Sequence, residues 1–178
     1  MTPDPPSRLV RGLAPATRVL SRAELEALAG RIAADSALWC DRLDRAAAGR
    51  AFVSLHREPE LEVWAVAWIP ESDTGWHDHD SSSGAVRVVD GVLEESVLCL
   101  GRPDRRRLYR AGETFLFGPD HIHRVTCPDG RAVSIHAYSP ALWRLGQYAV
   151  DDDGVLHRLT ASYADELRPV DAGALAAS

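Results

Sequence analysis

The chain has 178 residues, of which 46% are hydrophobic and 26% are charged, a balance typical of a soluble globular protein. Its formal net charge of -6, from 26 acidic and 20 basic residues, argues against a nucleic-acid-binding surface. The sequence has neither an apolar run of the ~20 residues that span a bilayer nor the apolar core of a signal peptide, and its cysteines show no CxxC spacing, so we expect a cytoplasmic protein that binds no membrane.

The first 49 residues are predicted to form an arm and helices that pack on the outside of the main domain. Ser21 and Glu24 have the spacing of a capping box, and the apolar residues that follow recur at helical spacing. This pattern predicts a helix over residues 21–34. A second helix is predicted over residues 36–48, because its apolar positions also fall near one helical face.

From residue 50 onward the pattern changes to short strands separated by turn signals. Residues 61–69 are apolar at almost every position, as expected of a strand covered on both faces. Further strands are predicted over residues 85–89, 92–100, 114–117, 124–127, 132–138, 148–150 and 155–159. Turns are predicted at Asp90-Gly91, Gly118-Pro119, Pro128-Asp129-Gly130 and Asp153-Gly154. Many short strands without intervening helices predict an all-β jelly-roll barrel over residues 50–178, in one structural domain with the N-terminal helices.

Two histidines are separated by one residue in the segment Gly75-Trp76-His77-Asp78-His79. Because residues i and i+2 of an extended strand point to the same side, His77 and His79 present two imidazoles side by side, which is half of a metal site. An exposed polar strand end would give the same pair.

A third imidazole brought across the barrel would complete a facial triad with positions open for a substrate and O2. His123 is favoured over His121, because His123 lies inside a predicted strand whereas His121 directly follows the turn at Gly118-Pro119-Asp120. Such a ligand set best matches Fe(II), and zinc also accepts three histidines.

Polar side chains alternate along the predicted strand 132–138. Ser134, His136 and Tyr138 occupy positions i, i+2 and i+4, so one strand face presents a hydroxyl, an imidazole and a phenol in a row. Such a relay could fix the tautomer of His136 and direct the hydroxyl of Tyr138 towards a ligand on the metal. The alternative is a polar strand face turned to water.

Together these motifs resemble the cysteine dioxygenase family of cupins, the thiol dioxygenases, over about residues 50–160. The matching segments are Gly75-Trp76-His77-Asp78-His79, the Gly91 hairpin, His123-Arg124-Val125 and Ala132-Val133-Ser134-Ile135-His136-Ala137-Tyr138-Ser139-Pro140. The last of these is the most specific. The resemblance implies a jelly-roll cupin barrel, here with a short N-terminal helical extension.

The resemblance also implies one Fe(II) ion as the cofactor and a set of catalytic side chains beside it. The implied metal ligands are His77, His79 and His123, and the implied catalytic residues are Ser134, His136 and Tyr138. A small thiol and O2 would be the reactants, and both oxygen atoms would end on sulfur as a sulfinic acid.

Position 84 distinguishes this sequence from other cupins and from part of the resembled family. Most cupins carry a glutamate ligand four or five residues after the HxH pair, whereas this chain has Ser83 and Gly84 there, in agreement with a three-histidine site. Animal cysteine dioxygenases have near this position a cysteine that is cross-linked to the active-site tyrosine. Gly84 cannot form that link and resembles the bacterial members instead.

The sequence also departs from the family at the residue that holds the substrate carboxylate. Members that use cysteine hold it with an arginine in a Tyr-x-Arg segment, and the corresponding stretch here is Phe52-Val53-Ser54. Either Arg50, Arg57 or another basic residue takes over the clamp, or the substrate is a thiol that is not held by its carboxylate in the family manner. We therefore predict substrate contacts from Arg50, Ser54, Arg57 and Gly84.

The function expected from these features is the oxidation of cysteine or a related small thiol with O2 by a monomer or weak homo-oligomer. One alternative is a cupin metalloenzyme that acts on cysteine or another small molecule with zinc, nickel or a different outcome. A second alternative, from another class, is a non-catalytic cupin that binds a small molecule.

Overall fold

The computed structural model of the protein describes residues 16–150 and 155–162. One α-helix, α1 (Arg22–Ala34), and two short 3-10 helices (Ser36–Leu38 and Cys40–Arg42) precede the strands. The strands are β1 (Ala51–Glu58), β2 (Leu61–Trp68), β3 (Trp76–Asp78), β4 (Ser83–Asp90), β5 (Val92–Val97), β6 (Arg105–Arg110), β7 (Thr114–Phe117), β8 (His123–Thr126), β9 (Ala132–Ser139), β10 (Arg144–Val150) and β11 (Leu156–Ser162).

These strands form two antiparallel sheets. The first has five strands in the order β1-β2-β9-β4-β7, and the second has six in the order β11-β10-β3-β8-β5-β6. A buried apolar cluster joins them, with Val66 and Val86 from the first sheet and Leu93 and Val125 from the second. The predicted all-β jelly-roll fold is confirmed.

Strand β9 lies at the centre of the first sheet and is buried along its whole length. Val133, Ile135 and Ala137 belong to a cluster that also contains the buried face of α1. The alternate residues of the strand therefore point into the space between the two sheets. The polar row predicted on this strand faces the interior of the barrel rather than water.

Helix α1 packs against β4, β7 and β9, on the outer side of the first sheet. Its N-terminus carries the predicted capping box, in which the Ser21 side chain accepts from the backbone of Glu24 and the Glu24 carboxylate accepts from the backbone of Ser21. Leu25, Leu28 and Ile32 are almost fully buried. The helix predicted over residues 21–34 is thus present and covers one face of the barrel.

The helix predicted over residues 36–48 is wrong. Only two 3-10 turns form there, and Leu43 already has an extended backbone, with φ -95° and ψ 117°. Two local interactions compete with a helix: the Trp39 indole donates to the carbonyl of Ile32 at 3.2 Å, and the Asp44 carboxylate accepts from the amide of Ala46 at 3.0 Å. The apolar spacing in this segment reflects docking onto α1 and the sheet instead.

Three parts of the sequence prediction lie outside the described residues. They are the first 15 residues of the N-terminal arm, the turn at Asp153-Gly154 and residues 163–178 of the predicted barrel. Within the described ranges, no helix is both long and apolar enough to cross a membrane.

Candidate active site

Three buried histidines meet between the sheets. His77 on β3 pairs directly with His123 on β8, and His79 follows immediately after β3. One ligand nitrogen from each ring lies within 4.8 Å of the others, and the three residues are 1% to 4% exposed. Imidazole nitrogens this close together, and shielded from water, suit the coordination of a single metal ion.

The imidazoles are oriented by acceptors on their outer sides. His77 Nδ1 lies 3.0 Å from the carbonyl oxygen of Gly75, which can only accept, so His77 donates there. His123 Nδ1 lies 2.9 Å from the carboxylate of Glu95 and donates in the same way. Burial, followed by the proximity of His123, holds the pKa of His79 well below its ordinary value, which favours the neutral ring that a metal requires.

Glu95 contacts both His121 and His123, the two candidates for the third metal ligand. Its Oε1 atom accepts from His123 at 2.9 Å and from His121 Nε2 at 3.0 Å. Burial alone would raise the pKa of Glu95, but these hydrogen bonds outweigh it and lower the pKa to about 2. His121 is thereby held beside the carboxylate, and His123 belongs to two groups whose ligand atoms lie within 4.8 Å of one another, one with His77 and His79 and one with Glu95 and His121.

The Ser134-His136-Tyr138 row is continuous and buried. Ser134 Oγ lies 2.8 Å from His136 Nε2, and His136 Nδ1 lies 2.9 Å from the hydroxyl of Tyr138. The three residues are 0%, 7% and 2% exposed. The structure therefore brings the predicted relay together in the barrel interior, with the Tyr138 ring centroid 5.2 Å from that of His79.

Trp68, which the sequence reasoning did not single out, extends this row by one residue. Its indole N–H donates to Ser134 Oγ at 2.8 Å. An indole N–H can only donate, so Ser134 accepts from Trp68. If Ser134 then donates to His136 Nε2, and His136 Nδ1–H donates to Tyr138, the hydrogens of Trp68, Ser134 and His136 each have one acceptor. In this arrangement the hydroxyl proton of Tyr138 is not consumed by the relay and can be given to a ligand in the cavity.

The histidines and the relay border one cavity, with about 330 Å³ of empty space including its opening. Its polar or charged walls come from both sheets and its remaining walls are apolar or aromatic. The lining residues are Arg50, Val66, Trp68, Thr74, His77, His79, Val86, Phe117, His123, Val125, His136 and Tyr138. The enclosed part of this space is smaller, because the volume includes the open mouth of the cavity.

Of the predicted substrate residues, Arg50 is the one that lines this cavity. Its guanidinium lies over the ring of Trp68, 5.3 Å from the centroid. Burial alone would raise the pKa of Asp73, but the hydrogen bonds from Arg124 and from the amide of Gly75, the charge of Arg124 and, last, the charge of Arg50 lower it. Arg50 therefore brings a positive charge to the space beside the relay.

Arg57 and Ser54 are not among the described residues that line the cavity. Arg57 forms an ion pair with the fully buried Glu62 and donates to the carbonyl of Leu142 at 3.0 Å. The Ser54 carbonyl accepts from Arg42 at 2.7 Å. These contacts join β1 to neighbouring segments of the chain.

Gly84 is close to the site but is covered. It pairs with Tyr138 across β4 and β9, and a Cβ atom at this position would overlap the ring of Phe117. That ring stacks on His79, with centroids 4.4 Å apart and planes 20° apart. Phe117 thus fills the place where a side chain at position 84 would lie beside Tyr138, and Gly84 is buried and is not among the described residues that line the cavity.

The residues that sequence reasoning missed are Trp68, Glu95 and Phe117. The strand pattern places Trp68 on the same face as Trp64 and Val66, but its contact with Ser134 depends on the pairing of β2 with β9, which the sequence does not specify. The sequence did contain a signal for Glu95, a carboxylate on the same period-2 face as the apolar residues Leu93 and Val97. Phe117 gave no signal that distinguishes it from an ordinary core residue.

Comparison with known proteins gives one family and several structural relatives. Residues 24–150 match the family described as cysteine dioxygenase type I. KdgF from Halomonas sp. is 18% identical, with a TM-score of 0.47 over 56% of this chain and 87% of that one. An RmlC-like cupin from Shewanella frigidimarina is 22% identical, with a TM-score of 0.47 over 56% and 84%. TT1209 from Thermus thermophilus is 16% identical, with a TM-score of 0.49 over 57% and 93%.

Proposed function

The chain belongs to the cysteine dioxygenase type I family, and on that premise we propose that it is a mononuclear non-haem iron dioxygenase that oxidises cysteine or a related small thiol to a sulfinic acid. The observation that carries the proposal is a single small cavity lined by the three histidines, by Tyr138 at the end of its relay and by Arg50. The reaction balances without another reductant, because O2 accepts four electrons from sulfur and both oxygen atoms enter the product.

The residues present fit an iron ion. His77, His79 and His123 would hold it, since they offer three imidazole nitrogens within 4.8 Å of one another. Three neutral ligands leave positions for a thiolate and O2, which is the arrangement that suits non-haem Fe(II). When bound, the metal would supply the acidity that deprotonates the thiol and the redox chemistry that O2 requires.

The relay would control one proton at the Tyr138 hydroxyl. With Trp68 donating to Ser134 and Ser134 to His136, the Nδ1–H of His136 donates to Tyr138 and leaves the hydroxyl proton for a group in the cavity. Because the relay is buried, bulk water does not compete for these hydrogen bonds. The function of Tyr138 would be to donate a hydrogen bond or proton to the reacting sulfur or oxygen atoms.

Arg50 would bind the carboxylate of the substrate. It lines the same cavity as Tyr138, and its guanidinium is supported by the face of Trp68. A carboxylate beside a guanidinium gains charge-assisted hydrogen bonds, so an amino-acid or carboxylic-acid thiol is favoured over a thiol with an amine alone. The proposed reactants are thus O2 and a small thiol that carries a carboxylate.

The proposal is tested by metal analysis and oxygen uptake on the purified protein. We expect close to one iron per chain, and oxygen consumption with sulfinate formation for cysteine or 3-mercaptopropionate and less for cysteamine. Tyr138→Phe should retain the iron and lower turnover about 10²- to 10⁴-fold, the usual range for a positioned acid or base. No oxygen uptake by iron-loaded protein with any of the three thiols would contradict the proposal.

A further inference from the structure

Glu95 is a buried carboxylate, and burial of an ionised carboxylate is energetically unfavourable. It lies on β5, is 5% exposed, and accepts through one oxygen from both His123 and His121. An ionised carboxylate loses its hydration on burial and is tolerated in a protein interior only with compensating donors. Here those donors are imidazoles, and one of them belongs to the three-histidine cluster.

The hydrogen bond defines which nitrogen His123 turns to the cavity. A carboxylate only accepts, so the Nδ1 atom of His123 carries the hydrogen, and the neutral ring keeps its lone pair on Nε2. His77 is held in a comparable way by the carbonyl of Gly75, at 3.0 Å. The difference between the two is charge, since the acceptor at His77 is a neutral amide carbonyl and the acceptor at His123 is an anion.

His121 completes the arrangement from the outer side. Its side chain is 22% exposed, compared with 2% for His123, and its Nε2 atom lies 3.0 Å from the same carboxylate oxygen. Tyr109 also has a side-chain hydrogen bond with Glu95, and burial, the charge of Glu95 and this bond raise the pKa of its phenol. Glu95 is thus held from several sides, which limits the positions its oxygen can take relative to His123.

We propose that Glu95 is a positioning residue that orients His123 as a metal ligand and makes its imidazole a stronger donor, with His121 as the outer support of the carboxylate. This inference rests on the proposed metal centre at His77, His79 and His123. A carboxylate hydrogen-bonded to a ligating histidine fixes its tautomer and increases its basicity, and loss of such a partner typically weakens metal binding about 10- to 100-fold.

The test measures metal binding rather than turnover. Metal-free wild type and Glu95→Gln would be titrated with Fe²⁺ without oxygen, and separately with Zn²⁺, in competition with a chromophoric chelator. Glutamine keeps the shape and an acceptor oxygen but lacks the charge, so we expect a Kd about 10- to 100-fold weaker, with partial recovery in Glu95→Asp. His121→Asn, which leaves both Glu95 and His123 in place, should change the Kd much less.

A spectroscopic measurement on the wild type does not depend on the variants folding. In 15N-labelled, Zn²⁺-loaded protein, imidazole NMR should show His123 with its hydrogen on Nδ1. A hydrogen on Nε2 of His123, or an unchanged Kd in well-folded Glu95→Gln, would overturn the positioning role. His77→Ala is the reference: if it too leaves metal binding unchanged, the metal centre itself is refuted, whereas loss of binding in that variant alone refutes only the role of Glu95.

Discussion

The indole N–H of Trp68 donates to the hydroxyl of Ser134 at 2.8 Å. This bond occupies one of the two acceptor sites of Ser134, and the serine hydroxyl hydrogen is used in turn when Ser134 donates to His136. The same indole ring carries the guanidinium of Arg50 on its face. Trp68 therefore connects the residue proposed to bind the substrate with the residue proposed to deliver a proton.

Trp68→Phe should lower kcat while the iron content stays that of the wild type. Phenylalanine keeps an aromatic face for Arg50 but cannot donate to Ser134, so the relay loses one hydrogen bond worth about 0.5–1.5 kcal/mol. That corresponds to about a two- to tenfold fall in kcat. Steady-state oxygen uptake and iron analysis on the same preparation are the measurements.

Trp64→Phe is the matched control for that experiment. Trp64 lies on the same strand, and in the described part of the chain its Nε1 atom has no hydrogen-bond partner. Its replacement removes no donor from the relay and should leave kcat unchanged. Equal losses of kcat in both variants would show that ring size, not the hydrogen bond to Ser134, is responsible.

The alternation along β9 was sufficient to predict that Ser134, His136 and Tyr138 share one face of the strand. The HxH spacing was sufficient to place His77 and His79 side by side. Alternation along a strand depends only on backbone geometry, so it can be read before the fold is known. The choice of His123 over His121 likewise agrees with the cluster observed around His77 and His79.

Contacts across strands could not be predicted in the same way. The partner of His123 depends on the register of β5 and β8, which places Glu95 within reach, and no pattern within either strand specifies that register. For the same reason, the sequence could not decide whether Arg50 or Arg57 lies at the cavity. Arg50 precedes β1 and Arg57 lies in it. The pairing of β1 with β2 places the buried Glu62 opposite Arg57, and that pairing is not specified by the sequence of either strand.

Asp78→Asn should destabilise the fold at neutral pH and have less effect in acid. Asp78 accepts from Tyr148, from the amides of Gly146 and Asp80, and from Arg158. Burial would raise the pKa of this carboxyl, but these donors lower it from 3.8 to about 2. A lowered folded-state pKa contributes stability above the unfolded pKa, and that contribution is lost as the pH falls from about 4 to about 2.

The expected loss on Asp78→Asn is about 1–3 kcal/mol at pH 7, the range for removing hydrogen bonds to a charged group. Urea unfolding at pH 7 and at pH 3 measures it, and the difference between variant and wild type should shrink at the lower pH. Asp80→Asn removes only ion pairs to partly exposed Arg144 and Arg158 and should cost about 1 kcal/mol or less. A loss for Asp78→Asn that is equal at both pH values would contradict the role of the charge.

Gly84→Ala should destabilise the protein by about 1–3 kcal/mol, the usual cost of overpacking a core. The added Cβ atom would overlap the ring of Phe117, which is itself 1% exposed and stacked on His79. Thermal unfolding of the variant measures the effect. Since the cause is one contact, Gly84→Ala combined with Phe117→Leu should lose less stability than the sum of the single changes.

Gly30→Ala is the control for the change at position 84. A Cβ atom at Gly30, inside α1, has nothing within 4 Å to meet. This substitution should stabilise the protein by about 0.5–1 kcal/mol, because alanine is the better helix former. Destabilisation by both substitutions, or additive losses in the double variant with Phe117→Leu, would show that the Phe117 contact is not the cause.

Arg50→Gln should weaken the binding of thiols that carry a carboxylate. Arg50 lines the cavity, and removal of a charge-assisted contact to a carboxylate costs about 1.5–3 kcal/mol, so the KM for cysteine or 3-mercaptopropionate should rise about 10- to 100-fold. Cysteamine has no carboxylate and should show little change.

Arg57→Gln is the matched control: it removes the ion pair to buried Glu62 and should lower the melting temperature while the KM values stay near those of the wild type. A raised KM for cysteine in Arg57→Gln but not in Arg50→Gln would reverse the assignment of the two arginines.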